Sequence, residues 1–67
     1  MKKDAKSLIK LLEEKGFLFK RAKGSHHIYF NALTNKTVIV PYHGNKEMPK
    51  GTFMAILRQA GIDKDQL

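Results

Sequence analysis

Two segments with helical periodicity lie near the ends of this 67-residue chain, and a stretch with the character of β-strands separates them. In each segment the apolar residues recur at i, i+3, i+4 and i+7, which places them on one face of a helix. They are Ala5, Leu8, Ile9 and Leu12 in the first segment and Phe53, Ile56, Leu57 and Ala60 in the second. The spacing predicts a helix over residues 4–15, capped by Asp4 and ended by Gly16, and another over about 51–60, ended by Gly61.

The central stretch predicts three short strands over residues 17–21, 26–30 and 36–40, because aromatic and β-branched side chains predominate there. The connections, residues 22–25 and 31–35, are short enough to favour an antiparallel meander. Pro41 should end the third strand because it has no N–H to donate. We expect a polar loop over residues 42–50, and a tail that frays from Ile62 onwards.

This order of elements indicates one α+β domain over residues 1–67. Each helix must bury its apolar stripe, and one face of a three-stranded antiparallel sheet is the natural partner for both. The other sheet face then stays open. Such an α-β-β-β-α layer is the architecture of the double-stranded-RNA-binding fold, although a shared fold proves no function. We expect these aromatic residues to pack in the core: Phe17, Phe19, Tyr29, Phe30 and Phe53.

The charge of the chain favours a polyanionic partner. Thirteen Lys and Arg residues against six Asp and Glu residues give a net charge of +7. A surface of this sign attracts nucleic acid, where neutralised phosphates release counterions, and it would also attract an acidic protein. A basic surface kept only for solubility is the simpler alternative.

The absence of cysteine excludes disulfides and thiolate metal sites, which indicates a reducing compartment. No apolar run approaches the length of a membrane span or a signal peptide. We therefore expect a cytoplasmic protein without a membrane partner.

The densest chemical segment is residues 20–27, in which three cations precede a Gly-Ser turn and two histidines. Glycine lets a phosphate approach the backbone, and lysine, arginine and serine can bind it. These residues predict an RNA-binding site at Lys20, Arg21, Lys23, Gly24 and Ser25. A histidine beside that site could take the 2′-hydroxyl proton so that the 2′-oxygen attacks the adjacent phosphate, a reaction that needs no metal.

The pattern alone does not decide between His26 and His27. Strand alternation puts His26 on one sheet face with Ile28 and Phe30, and His27 on the other face with Tyr29. Apolarity alone would bury the His26 face and expose His27. However, His26 begins the strand beside a glycine, where a bulge or turn could redirect it.

A third histidine, His43, follows the last strand and could join the site as a phosphate donor or a second acid–base group, although a lone loop histidine is more often plain surface. A zinc site made of the three histidines is disfavoured because neighbouring strand residues diverge and no carboxylate completes a ligand shell. We therefore predict no metal and no cofactor. Tyr29 and Tyr42 could stack on bases, with core packing favoured for Tyr29.

Several segments resemble the HicA family of toxin–antitoxin modules in order and spacing. They are residues 8–17 (LIKLLEEKGF), 24–29 (GSHHIY), 38–41 (VIVP), 49–53 (PKGTF) and 56–61 (ILRQAG). The resemblance covers nearly the whole chain, which makes it far more specific than any single motif.

This resemblance implies a toxin of a type II toxin–antitoxin system that cleaves mRNA as an endoribonuclease and is blocked by a HicB-type antitoxin. It also implies a double-stranded-RNA-binding-like fold. The family's catalytic histidine follows a Gly-Ser or Gly-Gly pair and maps onto His26. Some members place an asparagine before their histidine, which would map the role onto His27, the second choice. The residues by themselves leave open a non-catalytic RNA-binding module or a domain that binds an acidic protein.

Overall fold

The chain folds in the order helix, strand, strand, strand, helix. The computed structural model describes residues 2–44, 46–63 and 65. Its elements are α1 (Ala5–Glu14), β1 (Leu18–Lys23), β2 (His26–Asn31), β3 (Lys36–Pro41) and α2 (Lys50–Ala60). Within the described part of the chain, neither helix is long and apolar enough to cross a lipid bilayer.

The three strands form an antiparallel sheet in the order β1-β2-β3. Tyr29, Val38 and Val40 are buried on one side of it, in the same core cluster as the apolar residues of both helices. We call this side the covered face and the opposite side the open face, which carries His26, Ile28 and Ile39. The predicted α+β, double-stranded-RNA-binding-like fold is therefore confirmed.

A β-bulge at Lys20 decides which side chains of β1 reach each face. Phe19 pairs with Tyr29 on the covered face, but the register shifts before Arg21, which pairs with Ile28 on the open face. One extra residue in a strand reverses the alternation beyond it. The predicted possibility of a bulge was placed at His26, whereas the register of that residue is regular and the bulge lies in the neighbouring strand.

Helix α1 begins and ends as the sequence predicts. Asp4 is the N-cap, and its carboxylate accepts a hydrogen bond of 2.9 Å from the Ser7 N–H. Lys15 is the C-cap, and Gly16 follows with a φ of 100°, a conformation that glycine adopts with little strain. Gly61 ends α2 in the same left-handed region.

The Asp4 cap should make stability depend on pH in the acid range. Hydrogen bonds from the Ser7 side chain and backbone hold the pKa of Asp4 below its ordinary value of 3.8. A carboxyl whose pKa is lowered by folding stabilises the fold above its unfolded pKa, and that contribution is lost as pH falls through the folded value. We expect Asp4→Asn, which still caps a helix, to flatten the fall in Tm below about pH 4. An unchanged pH profile in thermal unfolding would show that the Asp4 charge contributes nothing.

Asn31 joins α1 to the turn between β2 and β3. Its side-chain amide donates to the Lys15 carbonyl at 2.9 Å, and its side-chain oxygen accepts from the N–H groups of Leu33 at 2.9 Å and Thr34 at 3.4 Å. Asn31 is 2% exposed, so its side-chain end of each of these part-buried bonds is shielded from water. The predicted loop began at Asn31, but the residue ends β2 and orders the turn that follows.

Three expectations about packing need correction. Phe19 is 52% exposed because the helices pack mainly against β3 and leave the covered face over β1 partly open. Phe30 is only partly buried because it lies on the open face. Ile62 does not fray: it is 6% exposed, and its N–H donates to the Leu57 carbonyl. The remainder of the predicted tail includes Lys64, Gln66 and Leu67, which lie outside the described residues, as does Asn45 of the predicted polar loop.

Candidate nucleic-acid interface

The predicted site begins at the tight turn between β1 and β2. Lys23 and His26 face each other across the two strands, and Gly24 and Ser25 connect them. Gly24 has a φ of 59°, as a type II′ hairpin turn requires at its first central residue. No heavy atom would lie within 4 Å of a Cβ at Gly24, so its backbone is open to a ligand. The Tyr42 N–H donates to the Ser25 carbonyl at 2.7 Å and ties the turn to the end of β3.

His26 is exposed on the open face of the sheet. Its cross-strand neighbours are Lys23 on β1 and Pro41 on β3. The expectation from apolarity, that the His26 face is buried and His27 exposed, is wrong. Both helices pack against the opposite side, so Ile28 and Phe30 share the open face with His26.

The predicted RNA-binding cations form a row along this open face. Lys23 lies opposite His26 and Arg21 opposite Ile28, while the Lys20 ammonium lies 5.5 Å from the centre of the Phe30 ring. His26 and Phe30 are four residues apart on β2, which corresponds to roughly 13 Å along a strand. The bulge at Lys20 produces the row, because strict alternation would send Arg21 to the covered face.

His27 lies on the covered face and is held by aromatic rings. Its imidazole stacks on the Tyr42 ring, with centroids 4.6 Å apart and planes within 6° of parallel. Phe19 meets it edge-on at 5.9 Å. Because His26 and His27 point to opposite faces, they cannot bind one ion together. Among the described residues, no cluster of three or more histidine and carboxylate side chains could hold a metal.

His43 is exposed and lies in a separate groove of about 720 Å³. Pro41, the β3 neighbour of His26, also lines this groove, so the groove begins one strand away from His26. The other lining residues are Lys46, Glu47, Met48, Pro49 and Thr52. The structure therefore places His43 near the turn end of the sheet without bringing it into the row of cations.

The open face also carries exposed apolar residues that sequence reasoning did not assign to a site. Leu18 is 71% exposed and Ile39 is 50% exposed, beside the partly buried Ile28 and Phe30. Strand alternation could have predicted that Ile39 faces outward, since Val38 and Val40 on either side of it are the stronger core candidates. Leu18 lies on the open face because it pairs with Phe30 of β2, and no local sequence pattern reveals this pairing.

The fold and this surface define a class: a small α+β protein of the double-stranded-RNA-binding type, with a basic, histidine-bearing sheet face. Comparison with known proteins identifies the family within this class. A family model described as the HicA toxin of bacterial toxin–antitoxin systems matches residues 5–62. A probable mRNA interferase HicA from Pseudomonas fluorescens (strain Pf0-1) is 37% identical over 51 residues, which is 76% of this chain and 82% of that protein. The chain belongs to the HicA toxin family.

Proposed function

We propose that this protein is the toxin of a type II toxin–antitoxin system and cleaves mRNA as a metal-independent endoribonuclease, with His26 as its general base. The family membership and the name of the Pseudomonas relative support an RNA-cleaving toxin. The observation that carries the site assignment is the placement of His26: exposed, in regular register and directly opposite Lys23.

The proposed reaction is transfer of the phosphate to the neighbouring 2′-oxygen. His26 takes the 2′-hydroxyl proton, and the 2′-oxygen attacks the adjacent phosphorus. The bond from phosphorus to the 5′-oxygen breaks, and that oxygen leaves with a proton from water. The products are a 2′,3′-cyclic phosphate and a free 5′-hydroxyl. A base at such a position accelerates proton transfer without any metal ion.

The neighbours of His26 supply the rest of the proposed site. The Lys23 ammonium stabilises the negative charge that grows on the phosphate oxygens, and the open backbone of Gly24 with the Ser25 hydroxyl lets the phosphate come close. Lys20 and Arg21 bind phosphates further along the RNA strand. His43, one strand away, extends the RNA-binding surface beyond the turn.

His27 is the weaker candidate for the base. Its ring lies against Tyr42 and Phe19 on the other face of the sheet, away from Lys23. A base needs a ring that can approach the substrate within hydrogen-bond distance, and stacking on two aromatic residues restricts that approach.

The proposed regulator is a HicB-type antitoxin that covers the open face. The exposed side chains of Leu18 and Ile39 give this face apolar surface, and Arg21 and Lys23 give it positive charge beside His26. Apolar patches with polar rims mark protein interaction sites. A partner with complementary apolar and acidic residues would hide His26 from RNA. We place the whole activity in the cytoplasm, where mRNA is found.

The experiment that separates a nuclease from a non-catalytic RNA-binding module is cleavage of a generic mRNA by the wild-type protein in EDTA. We expect cuts whose upstream fragments end in 2′,3′-cyclic phosphate. The toxin is purified from cells in complex with its antitoxin and then separated from it. Adding the antitoxin back is the control for contaminating nuclease, because it should stop cleavage by the toxin and not cleavage by a contaminant. Binding without cleavage would reject the nuclease and favour the binding module.

A further inference from the structure

An aromatic groove lies on the opposite side of β2 from His26. It has a volume of about 430 Å³ and runs between α1 and the part of the covered face formed by β1 and β2. Both helices pack against β3, so they do not fully cover the part of this sheet face that β1 and β2 form. The lining residues are Lys6, Ile9, Lys10 and Glu13 from α1, with Phe19, His27, Tyr29 and Tyr42.

The four rings in the groove are arranged around Phe19 and His27. Phe19 meets Tyr29 edge-on with centroids 5.7 Å apart and meets His27 in the same way at 5.9 Å. His27 in turn stacks on Tyr42. Phe19 is half exposed, and His27 and Tyr42 are only partly buried, so ring surface is left free for a ligand. Exposed ring surface held by its neighbours in this way is the kind of platform on which a flat heterocycle stacks.

The rim of the groove carries mostly positive charge. Lys6 and Lys10 lie on the exposed surface of α1, and Glu13 is the one carboxylate among the lining residues. Burial raises the pKa of the Tyr29 phenol, and the negative charge of Glu13 raises it further. The groove therefore combines partly exposed ring surface with cations at its rim, a set that suits an aromatic base attached to a phosphate.

We propose that this groove binds one unpaired base of the RNA substrate, so that the enzyme acts on single-stranded or locally opened RNA. The proposal rests on the proposed function and adds a subsite to it. His26 and His27 are consecutive residues on opposite faces of β2. An RNA strand that passes around the Gly24–Ser25 turn reaches both faces, with the cleaved phosphate beside His26 and a neighbouring base in the groove. A base that is paired within a duplex does not present its face to such a groove.

The test uses short single-stranded 2′-O-methyl RNA, which cannot be cleaved by the proposed reaction, and a matched strand with the same backbone and no bases. Wild type should bind the intact strand roughly 5- to 150-fold more tightly than the abasic strand, the range expected for stacking of one base. Phe19→Leu should lose most of this preference while binding the abasic strand as wild type does. Because Phe19 is half exposed, the substitution should leave the fold intact, which a thermal melt checks.

A second variant, Phe19→Trp, keeps a ring in the groove. It should retain the preference for the intact strand. Since the chain has no tryptophan of its own, the fluorescence of the introduced indole should also be quenched by the intact strand and not by the abasic one. Leu33→Ala is the control, because Leu33 is an 89% exposed apolar residue outside the groove.

Equal affinity of wild type and Phe19→Leu for the intact strand would overturn the subsite. The subsite would also be overturned if Phe19→Leu bound RNA normally but no longer co-purified with the antitoxin, because the groove would then be a protein-docking surface. Cleavage of unmodified RNA by the same wild-type preparation distinguishes failure of the proposed nuclease activity from failure of the proposed base-binding groove. Cleavage without base-dependent binding rejects only the groove, and base-dependent binding without cleavage rejects only the nuclease.

Discussion

Replacing His26 by alanine should slow RNA cleavage by a factor of about 10²–10⁴, the contribution usual for a general base. RNA affinity should change little, because Lys20, Arg21 and Lys23 remain on the open face. The fold should also be unaffected, since the His26 side chain is exposed and, among the described residues, makes no ring contact of the kind that holds His27. The measurement is a single-turnover rate at saturating RNA, with binding followed separately by anisotropy.

His27→Ala is the matched control, one residue away on the same strand. It removes a ring that stacks on Tyr42, so we expect lower stability and weaker RNA binding. At saturating RNA its cleavage rate should stay within about tenfold of wild type, well short of the loss of a catalytic base. A collapse of the rate in His27→Ala with normal cleavage by His26→Ala would reverse the assignment of the base.

Replacing Asn31 by alanine should lower the free energy of unfolding by about 2–3 kcal/mol. The substitution removes the donor to the Lys15 carbonyl and the acceptor for the N–H groups of Leu33 and Thr34. The three hydrogen bonds are part-buried, and a typical intramolecular hydrogen bond contributes about 0.5–1.5 kcal/mol, so their joint loss gives this magnitude. For a chain of this size the loss corresponds to a fall in Tm of roughly 10–20 °C.

Two further variants of the turn sharpen this prediction, which denaturant unfolding measures. Asn31→Asp keeps the acceptor for Leu33 but loses the donor to the Lys15 carbonyl, so it should also destabilise the fold. Leu33→Ala changes an exposed side chain in the same turn and should alter the unfolding free energy by no more than about 0.5 kcal/mol. An effect of Asn31→Ala as small as that of Leu33→Ala would show that the three hydrogen bonds do not stabilise the fold.

The order and approximate bounds of the helices and strands could be predicted from the sequence because each rests on a local signal. The apolar stripes of α1 and α2 repeat at helical spacing, and Asp4, Gly16 and Gly61 supply the chemistry of helix ends. Val38 and Val40 alternate with polar or exposed neighbours, as one covered sheet face requires. The family resemblance agreed with this pattern and indicated the same fold.

The assignment of faces could not be predicted because it depends on contacts between strands. β2 has apolar or aromatic residues on both sides, with Ile28 and Phe30 on one and Tyr29 on the other, so apolarity selected the wrong one. The bulge at Lys20 then moves Arg21 and Lys23 to the open face, and nothing in the local sequence marks it. The result is that His26, whose face apolarity alone would bury, is the exposed histidine of the pair.

Two other features depend on residues that are distant in the sequence. The stack of His27 on Tyr42 forms only because β2 and the end of β3 are neighbours in the sheet, and Tyr42 reads in the sequence as part of a polar loop. The bond from Asn31 to the Lys15 carbonyl spans 16 positions. Asn31 in isolation resembles an ordinary turn residue, so its role appears only when the end of α1 is placed beside it.

Chemical rescue tests most directly whether the His26 imidazole acts as the base. The measurement is the single-turnover cleavage rate of His26→Ala with increasing concentrations of added imidazole, at several pH values. We predict that imidazole restores cleavage, in proportion to its free-base fraction, at the same bonds and with the same 2′,3′-cyclic ends. A His26→Ala protein that binds RNA normally but whose rate is indifferent to imidazole, while imidazole rescues His27→Ala, would contradict it.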